Sequence, residues 1–177
     1  GYLDESYILQ MDAEFFMRIG LNCNIMKVDD LLSKFREHDL RKSNVPENND
    51  CVEKEFFRRY SKLLRSFPFT GDLIEDAKVL NVYVHGDGGY PVSKSFSRAQ
   101  LGQSFFIFLV MVAEGKYLKG DYRSVKQLIT YLRKYYNHMF KKDRRISRIL
   151  RRLPFAQLLP SGLIRRVREH KIHRGSS

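Results

Sequence analysis

The chain has 177 residues, of which 43% are hydrophobic, enough for one compact domain with a modest core or a small unit with a tail. Its only cysteines, Cys23 and Cys51, exclude a disulfide framework and lack zinc-site spacing, so we expect free thiols in a reducing compartment. The net charge is +12, and residues 120–177 hold 16 Lys and Arg against 3 Asp and Glu. This local excess favours an anionic partner, either phospholipid head groups or nucleic acid.

The N-terminal part begins at Gly1 without an initiator methionine or signal peptide, and we expect it to continue a longer protein. Its predicted elements are a polar turn at residues 4–6, a helix at 12–20, and strands at 25–28 and 31–36. Residues 43–50 are polar, contain a proline and show no periodicity, which is typical of a linker. We therefore predict a first domain at residues 1–44.

Apolar residues then recur at helical spacing. Residues 56–64 predict an amphipathic helix that ends before Pro68. Residues 79–84 have the composition of a strand, and the glycine-rich residues 85–89 predict a plain turn because the Lys-Ser/Thr of a phosphate loop is absent. The nine apolar residues at 105–113 predict a buried helix, since a membrane span needs about 20.

The C-terminal part is predicted to be a helical hairpin followed by a basic tail. Gly120 joins the two helices and Asp121 caps the second, whose apolar stripe runs from Val125 to Phe140. Further apolar residues alternate with arginines until Pro154 and Pro160 interrupt the helix. The predicted units are a helical extension at residues 45–143 and a basic amphipathic tail at 144–177.

Three motifs follow one another in the N-terminal part. Residues 1–6 read Gly-Tyr-Leu-Asp-Glu-Ser, residues 12–18 read Asp-Ala-Glu-Phe-Phe-Met-Arg, and residues 35–38 read Phe-Arg-Glu-His. Their order and spacing resemble the end of the catalytic domain of family-2 inverting glycosyltransferases, over about the first quarter of the chain. The resemblance implies an α+β, mainly helical chain that forms the C-terminal edge of a GT-A nucleotide-diphospho-sugar transferase domain, followed by a helical, basic tail.

The family's catalytic base corresponds to Asp12, which would take the proton of the attacking acceptor hydroxyl. The alternative is an ordinary acidic residue at a helix start, and the flanking motifs favour the base. Position 11 is methionine where many family members carry a second acid. Glu14 is predicted either to play a supporting role in the site or to contact the acceptor substrate. Arg18 is expected to form an internal ion pair.

The family's aromatic-Arg-x-His signature corresponds to residues 35–38. The resemblance implies that His38 helps to hold a divalent metal, Mg or Mn, against the nucleotide diphosphate, and the Asp-x-Asp partner of that site would lie in a missing N-terminal half. The alternative, which has equal weight, is that His38 is an exposed histidine that binds no metal. Arg36 would pair with phosphate oxygens or, instead, with Asp29 or Asp30.

Two functions of different class fit these features. The first is a fragment of a glycosyltransferase that moves a sugar from a nucleotide-sugar donor to a saccharide or lipid-linked hydroxyl acceptor, in the cytoplasm or at the cytoplasmic membrane face. Its basic tail would contact anionic lipid, or would pack on the protein itself. The second is a basic helical nucleic-acid-binding module, with Tyr131, Tyr135 and Tyr136 available to stack on bases. The acidic first part has no role in the second function.

Overall fold

The computed structural model of the chain describes residues 2–26, 29 and 48–158. Within these residues the chain is mainly helical, as predicted, and no strand is present. The helices are α1 (Met11–Asn22), α2 (Asn49–Arg65), α3 (Gly71–Val79), α4 (Arg98–Lys119), α5 (Tyr122–Tyr135), α6 (Asn137–Lys142) and α7 (Arg144–Leu158). The predicted strand at 31–36 and the second half of the strand at 25–28 lie outside the described residues. Two compact units are formed, Gly1–Leu101 and Gly102–Ser177.

The first unit is organised around α2, whose predicted amphipathic character is confirmed. One face of this helix is buried and includes Tyr60, Leu63 and Leu64. The helix packs against α3, a short helix that the sequence did not predict. The buried Thr70 hydroxyl joins the two helices. It can donate either to the Leu64 carbonyl, at 2.6 Å, or to the Phe67 carbonyl, at 2.7 Å.

The strand predicted at residues 79–84 is wrong. Helix α3 continues to Val79, and the chain then turns through Asn81, which has a φ of 55°. The Val82 amide donates to the Ala77 carbonyl at 2.9 Å, closing the turn. Leu80 and Val82 are buried, so the apolar character of this stretch reflects its packing at a helix C-terminus and not pairing with another strand.

The second unit confirms the predicted hairpin. Gly120 has a φ of 82°, a conformation that favours glycine, and the Asp121 carboxylate accepts from the Ser124 amide at 3.2 Å to cap α5. The buried face of α5 carries Val125, Leu128, Ile129 and Leu132. The predicted single stripe to Phe140 is divided at Tyr136, where α5 ends before the short helix α6. Helices α5, α6 and α7 pack against one another.

The predicted interruption at Pro154 is also wrong, because α7 passes through it to Leu158. A proline removes one helical hydrogen bond, here the bond to the Leu150 carbonyl. Both residues are exposed, so water can satisfy that carbonyl, and the buried side of the helix, with Ile146, Ile149 and Leu153, holds the chain in place.

Helix α4 is longer than the predicted apolar run. Among the described residues it is the one helix whose length and composition would allow it to cross a membrane, and 44% of its most apolar 18-residue window is buried inside the protein. A buried core helix meets the same criteria. Phe105, Leu109, Val110 and Ala113 are fully buried, whereas Ile107, Met111 and Leu118 are exposed.

Candidate active site around Asp12

The start of α1 is fixed by a buried carboxylate from α2. Glu55 accepts hydrogen bonds from three consecutive backbone amides, those of Ile8 at 2.6 Å, Leu9 at 3.0 Å and Gln10 at 2.8 Å. The Gln10 side chain donates in turn to the Val52 carbonyl at 2.7 Å. Because these amides precede the first turn of α1, a negative charge is placed at the positive end of the helix dipole.

The other end of α1 is held by the chain around residue 93. The Asn22 side chain donates to the Pro91 carbonyl at 3.0 Å and accepts from the Ser93 amide at 3.0 Å. The Lys94 ammonium donates to the Cys23 carbonyl. Anchoring at both ends gives α1, and the side chains on it, a defined position within the first unit.

Asp12 lies in the first turn of α1 and is exposed. Its Oδ1 accepts from the Ala13 amide at 2.7 Å, and no other hydrogen bond to this carboxylate is formed by the described residues. The second oxygen therefore stays available to a ligand. The two phenylalanines that follow in this helix differ, because Phe15 is half-buried whereas Phe16 is 65% exposed.

Glu14 is fully buried, one turn of helix from its partner Arg18. The Arg18 Nε donates to both Glu14 carboxylate oxygens, at 2.9 and 3.0 Å, and its Nη2 donates to the Tyr2 carbonyl at 2.8 Å. The predicted internal ion pair of Arg18 is thus confirmed. Glu14 faces the interior of the unit, where it is shielded from solvent and supports the helix through its pair with Arg18.

The polar turn predicted at residues 4–6 is present and is tied to α2. The Tyr7 amide donates to the Asp4 carbonyl at 3.1 Å, and the Asp4 carboxylate accepts from the Ser6 amide at 3.1 Å. Arg58 donates to the Ser6 hydroxyl at 2.9 Å, and Lys62 lies 3.8 Å from Asp4. The Ser6 hydrogen bonds hold the pKa of Asp4 below its ordinary value, although burial opposes them.

A buried polar cluster, consisting of Tyr7, Arg59 and Tyr90, lies next to these elements. The hydroxyls of Tyr7 and Tyr90 and the Nε and Nη1 atoms of Arg59 are enclosed without a hydrogen-bond partner among the described residues. The two hydroxyls are close enough to influence each other's pKa but do not form a hydrogen bond of good geometry. Each enclosed polar group without a partner costs about 1–3 kcal/mol.

Burial dominates the ionisation of this cluster. It raises the pKa of Tyr7 and, together with the neighbouring Tyr7 hydroxyl, raises the pKa of Tyr90 far above its ordinary value. Burial lowers the pKa of Arg59, against the nearby Tyr90, Tyr7, Asp12 and Glu14, but a guanidinium remains a cation at neutral pH. The cluster therefore consists of two neutral phenols and one cation.

Arg59 belongs to no sequence motif, although its position in α2 carries a signal. Arg59 follows Phe56 by three residues and precedes Leu63 by four, so it lies within the apolar stripe of α2. A charged residue in such a stripe is rarely buried without a partner. Tyr7 and Tyr90 are distant in sequence and meet Arg59 only in the folded unit, which periodicity cannot predict.

The glycine-rich residues 85–89 form the predicted non-helical turn, and it is held by α2. Arg65 donates from Nε to the Gly88 carbonyl at 2.9 Å and from Nη1 to the Val84 carbonyl at 2.9 Å. A Cβ on Gly89 would lie 2.5 Å from the Cα of Ser66, so only glycine fits there. These carbonyls accept from the Arg65 guanidinium, and the contacts hold the loop that ends at Tyr90 against α2.

No protein-family model, curated protein or solved structure matches the chain. Arg36 and His38, the predicted phosphate and metal residues, lie outside the described residues. Within the described residues no group of three or more His, Cys, Asp or Glu side chains is placed to hold a metal ion. The site is therefore defined by Asp12 on α1 and by the buried polar cluster beside it.

The second unit presents a basic surface. The exposed cations on α5, α6 and α7 are Arg123, Lys126, Arg133, Lys134, Lys141, Lys142, Arg144, Arg148, Arg151 and Arg152. Arg145 differs, because its guanidinium is paired with Asp143 at 2.9 Å. Arg148 approaches Glu114 of α4 at 4.0 Å. Glu114 follows Met111 by three residues and precedes Leu118 by four, so the exposed apolar residues of α4 lie along the helical face that Arg148 approaches.

Proposed function

We propose that the chain is the C-terminal part of a family-2 inverting glycosyltransferase of the GT-A type, with Asp12 as its catalytic base. The observation that carries the proposal is the position of Asp12. It is an exposed carboxylate with a free oxygen at the start of a helix that is anchored at both ends. The three sequence motifs that resemble the family supply the reaction class.

In the proposed reaction, the hydroxyl oxygen of the acceptor attacks the anomeric carbon of the nucleotide sugar from the face opposite the nucleotide. The bond between that carbon and the phosphate oxygen breaks, and the nucleoside diphosphate leaves with the electron pair. Asp12 accepts the proton that the acceptor hydroxyl loses. Buried Glu14 pairs with half-buried Arg18 on the same helix, and Arg18 ties this helix to the Tyr2 carbonyl.

Donor binding belongs, in this proposal, to residues outside the described ones. Arg36 would contact the phosphate oxygens, and His38 would help to hold a divalent cation that offsets the charge of the leaving diphosphate. Replacing His38 with alanine in the full-length enzyme should raise the metal concentration needed for activity. An unchanged metal dependence would leave His38 without that role.

The decisive experiment is Asp12→Asn in the full-length enzyme. Transfer should fall about 100-fold or more while donor binding changes little, since a general base contributes about 10²–10⁴ to the rate. Asp87→Asn, which also removes one exposed carboxylate from the first unit, should have no effect and serves as the control. Full activity in the Asp12→Asn enzyme would exclude the proposed base.

The proposed location is the cytoplasmic face of a membrane, where a lipid-linked acceptor would be presented. The exposed arginines of α7 and the exposed apolar residues Ile107, Met111 and Leu118 of α4 support it, since an anionic bilayer surface attracts both kinds of side chain. Nucleic-acid binding is the alternative that the same cations allow. It leaves the anchored Asp12 without a role.

A further inference from the structure

The buried polar cluster contains an unusual combination of groups. Tyr7 is 0%, Tyr90 4% and Arg59 9% exposed, yet two hydroxyls and two guanidinium nitrogens have no partner among the described residues. Buried polar atoms in native proteins almost always have a partner, either from the protein or from something bound to it. Three neighbouring residues that all lack one indicate a shared missing partner.

The chemistry of that partner follows from what the cluster offers. A guanidinium only donates hydrogen bonds, and each phenol hydroxyl can donate one. The positive potential is reinforced by two further cations of α2, because Arg58 lies 4.7 Å from the centre of the Tyr7 ring and Lys62 lies 4.6 Å from that of Tyr90. A group that fits must accept several hydrogen bonds and carry negative charge.

The acidic side chains nearby do not meet this need. Glu14 is paired with Arg18, and Asp12, although close enough to influence Arg59, forms no ion pair with it. Glu55 accepts from the three backbone amides before α1 and from the Cys51 thiol. No carboxylate in the described part of the unit therefore pairs with the unpartnered nitrogens of Arg59.

We propose that Tyr7, Arg59 and Tyr90 form a binding site for an oxyanion, namely the phosphate or carboxylate group of a small ligand. Arg59 offers N–H donors from Nε and Nη1 to the oxygens of such a group, and the tyrosine hydroxyls complete its coordination. The proposal does not depend on the glycosyltransferase reaction, because it concerns binding alone. It would hold for a protein with any activity.

The test is an NMR titration of the whole chain with inorganic phosphate and, separately, with acetate at matched ionic strength. The side-chain Nε–H signal of Arg59, assigned by its loss in Arg59→Met, should shift and saturate with one of the two anions. Saturation with phosphate indicates a phosphoryl ligand, and saturation with acetate indicates a carboxylate ligand. No saturable shift with either anion would overturn the proposal.

Two variants separate a specific site from general attraction to a basic helix. Tyr90→Phe removes one hydroxyl and leaves the ring in the core, and it should weaken anion affinity about 5- to 10-fold, the equivalent of one hydrogen bond. Lys54→Met removes an exposed cation from the same helix and should leave the affinity unchanged. Equal weakening by both variants, or by neither, would contradict an oxyanion site at the cluster.

Discussion

The Glu55 carboxylate accepts a hydrogen bond of 2.8 Å from the backbone amide of Gln10, the residue immediately before α1. Together with the bonds from Ile8 and Leu9, this contact connects α2 to the segment that presents Asp12. The position of the proposed base therefore depends on a residue that lies far along the sequence, on a different helix.

Glu55→Gln should destabilise the first unit by about 1–3 kcal/mol, because a neutral amide has one acceptor oxygen where the carboxylate has two. Urea unfolding of the wild-type chain and the variant measures the difference. Glu75→Gln, at an exposed pair with Lys78, is the matched control and should cost less than about 1 kcal/mol. An equal loss of unfolding free energy in the two variants would show that the hydrogen bonds from the three amides to Glu55 contribute little stability.

Gly89→Ala should destabilise the protein by about 1–3 kcal/mol or more, because the new methyl group would overlap backbone atoms of Ser66 and Arg65 that cannot move independently. Gly71→Ala is its control, since nothing lies within 4 Å of a Cβ at the first residue of α3. Thermal unfolding of both variants tests the contrast. A harmless Gly89→Ala would mean that the loop ending at Tyr90 can shift away from α2.

Stability should fall in acid partly through Asp143. Burial opposes its ionisation, but hydrogen bonds from the side chain and backbone of Arg145 outweigh burial and lower its pKa. A lowered pKa gives stability that is present above the unfolded value of about 3.9 and is lost as the pH falls through the folded value. Asp143→Asn should therefore be less stable than wild type at pH 7, and the two should converge at low pH. A constant difference at all pH values would contradict this assignment.

The triple variant Arg144→Gln, Arg151→Gln and Arg152→Gln should weaken binding of the full-length protein to anionic vesicles about 100-fold, at about 1 kcal/mol for each charge, and spare transfer to a soluble acceptor. Arg145 and Arg148 are left unchanged because they contact Asp143 and Glu114. The control variant replaces three exposed cations of α5, Arg123, Lys126 and Arg133, with Gln. It removes the same number of charges and should weaken vesicle binding less than the α7 variant does. If wild type binds DNA in a gel shift but not vesicles, the nucleic-acid alternative replaces the membrane.

The helices that the sequence predicted are those whose local signals agree with their packing. Asp121 and Gly120 mark the start of α5 in the sequence and have the expected roles in the structure. By contrast, α3 is short and its end at Val79 carries apolar residues that resemble a strand, because Leu80 and Val82 pack inward after the helix. The ends of elements are set by such tertiary contacts, which a local pattern does not contain.

The candidate site was predictable only in part for the same reason. Asp12 and the ion pair of Glu14 with Arg18 belong to one helix, so their spacing in the sequence determines their relation in space. The cluster of Tyr7, Arg59 and Tyr90 joins residues from three separate parts of the chain. Only folding brings these side chains together, and no spacing rule connects them.

Contacts that anchor α1 and α2 also bear on how this protein can diverge. The chain leaves α1 at Cys23 and returns at Asn48, and both helices are fixed to each other through Glu55 and the amides that precede α1. A substitution in α2 that removes the Glu55 carboxylate would therefore also disturb the segment that presents Asp12, so the two helices can diverge only together.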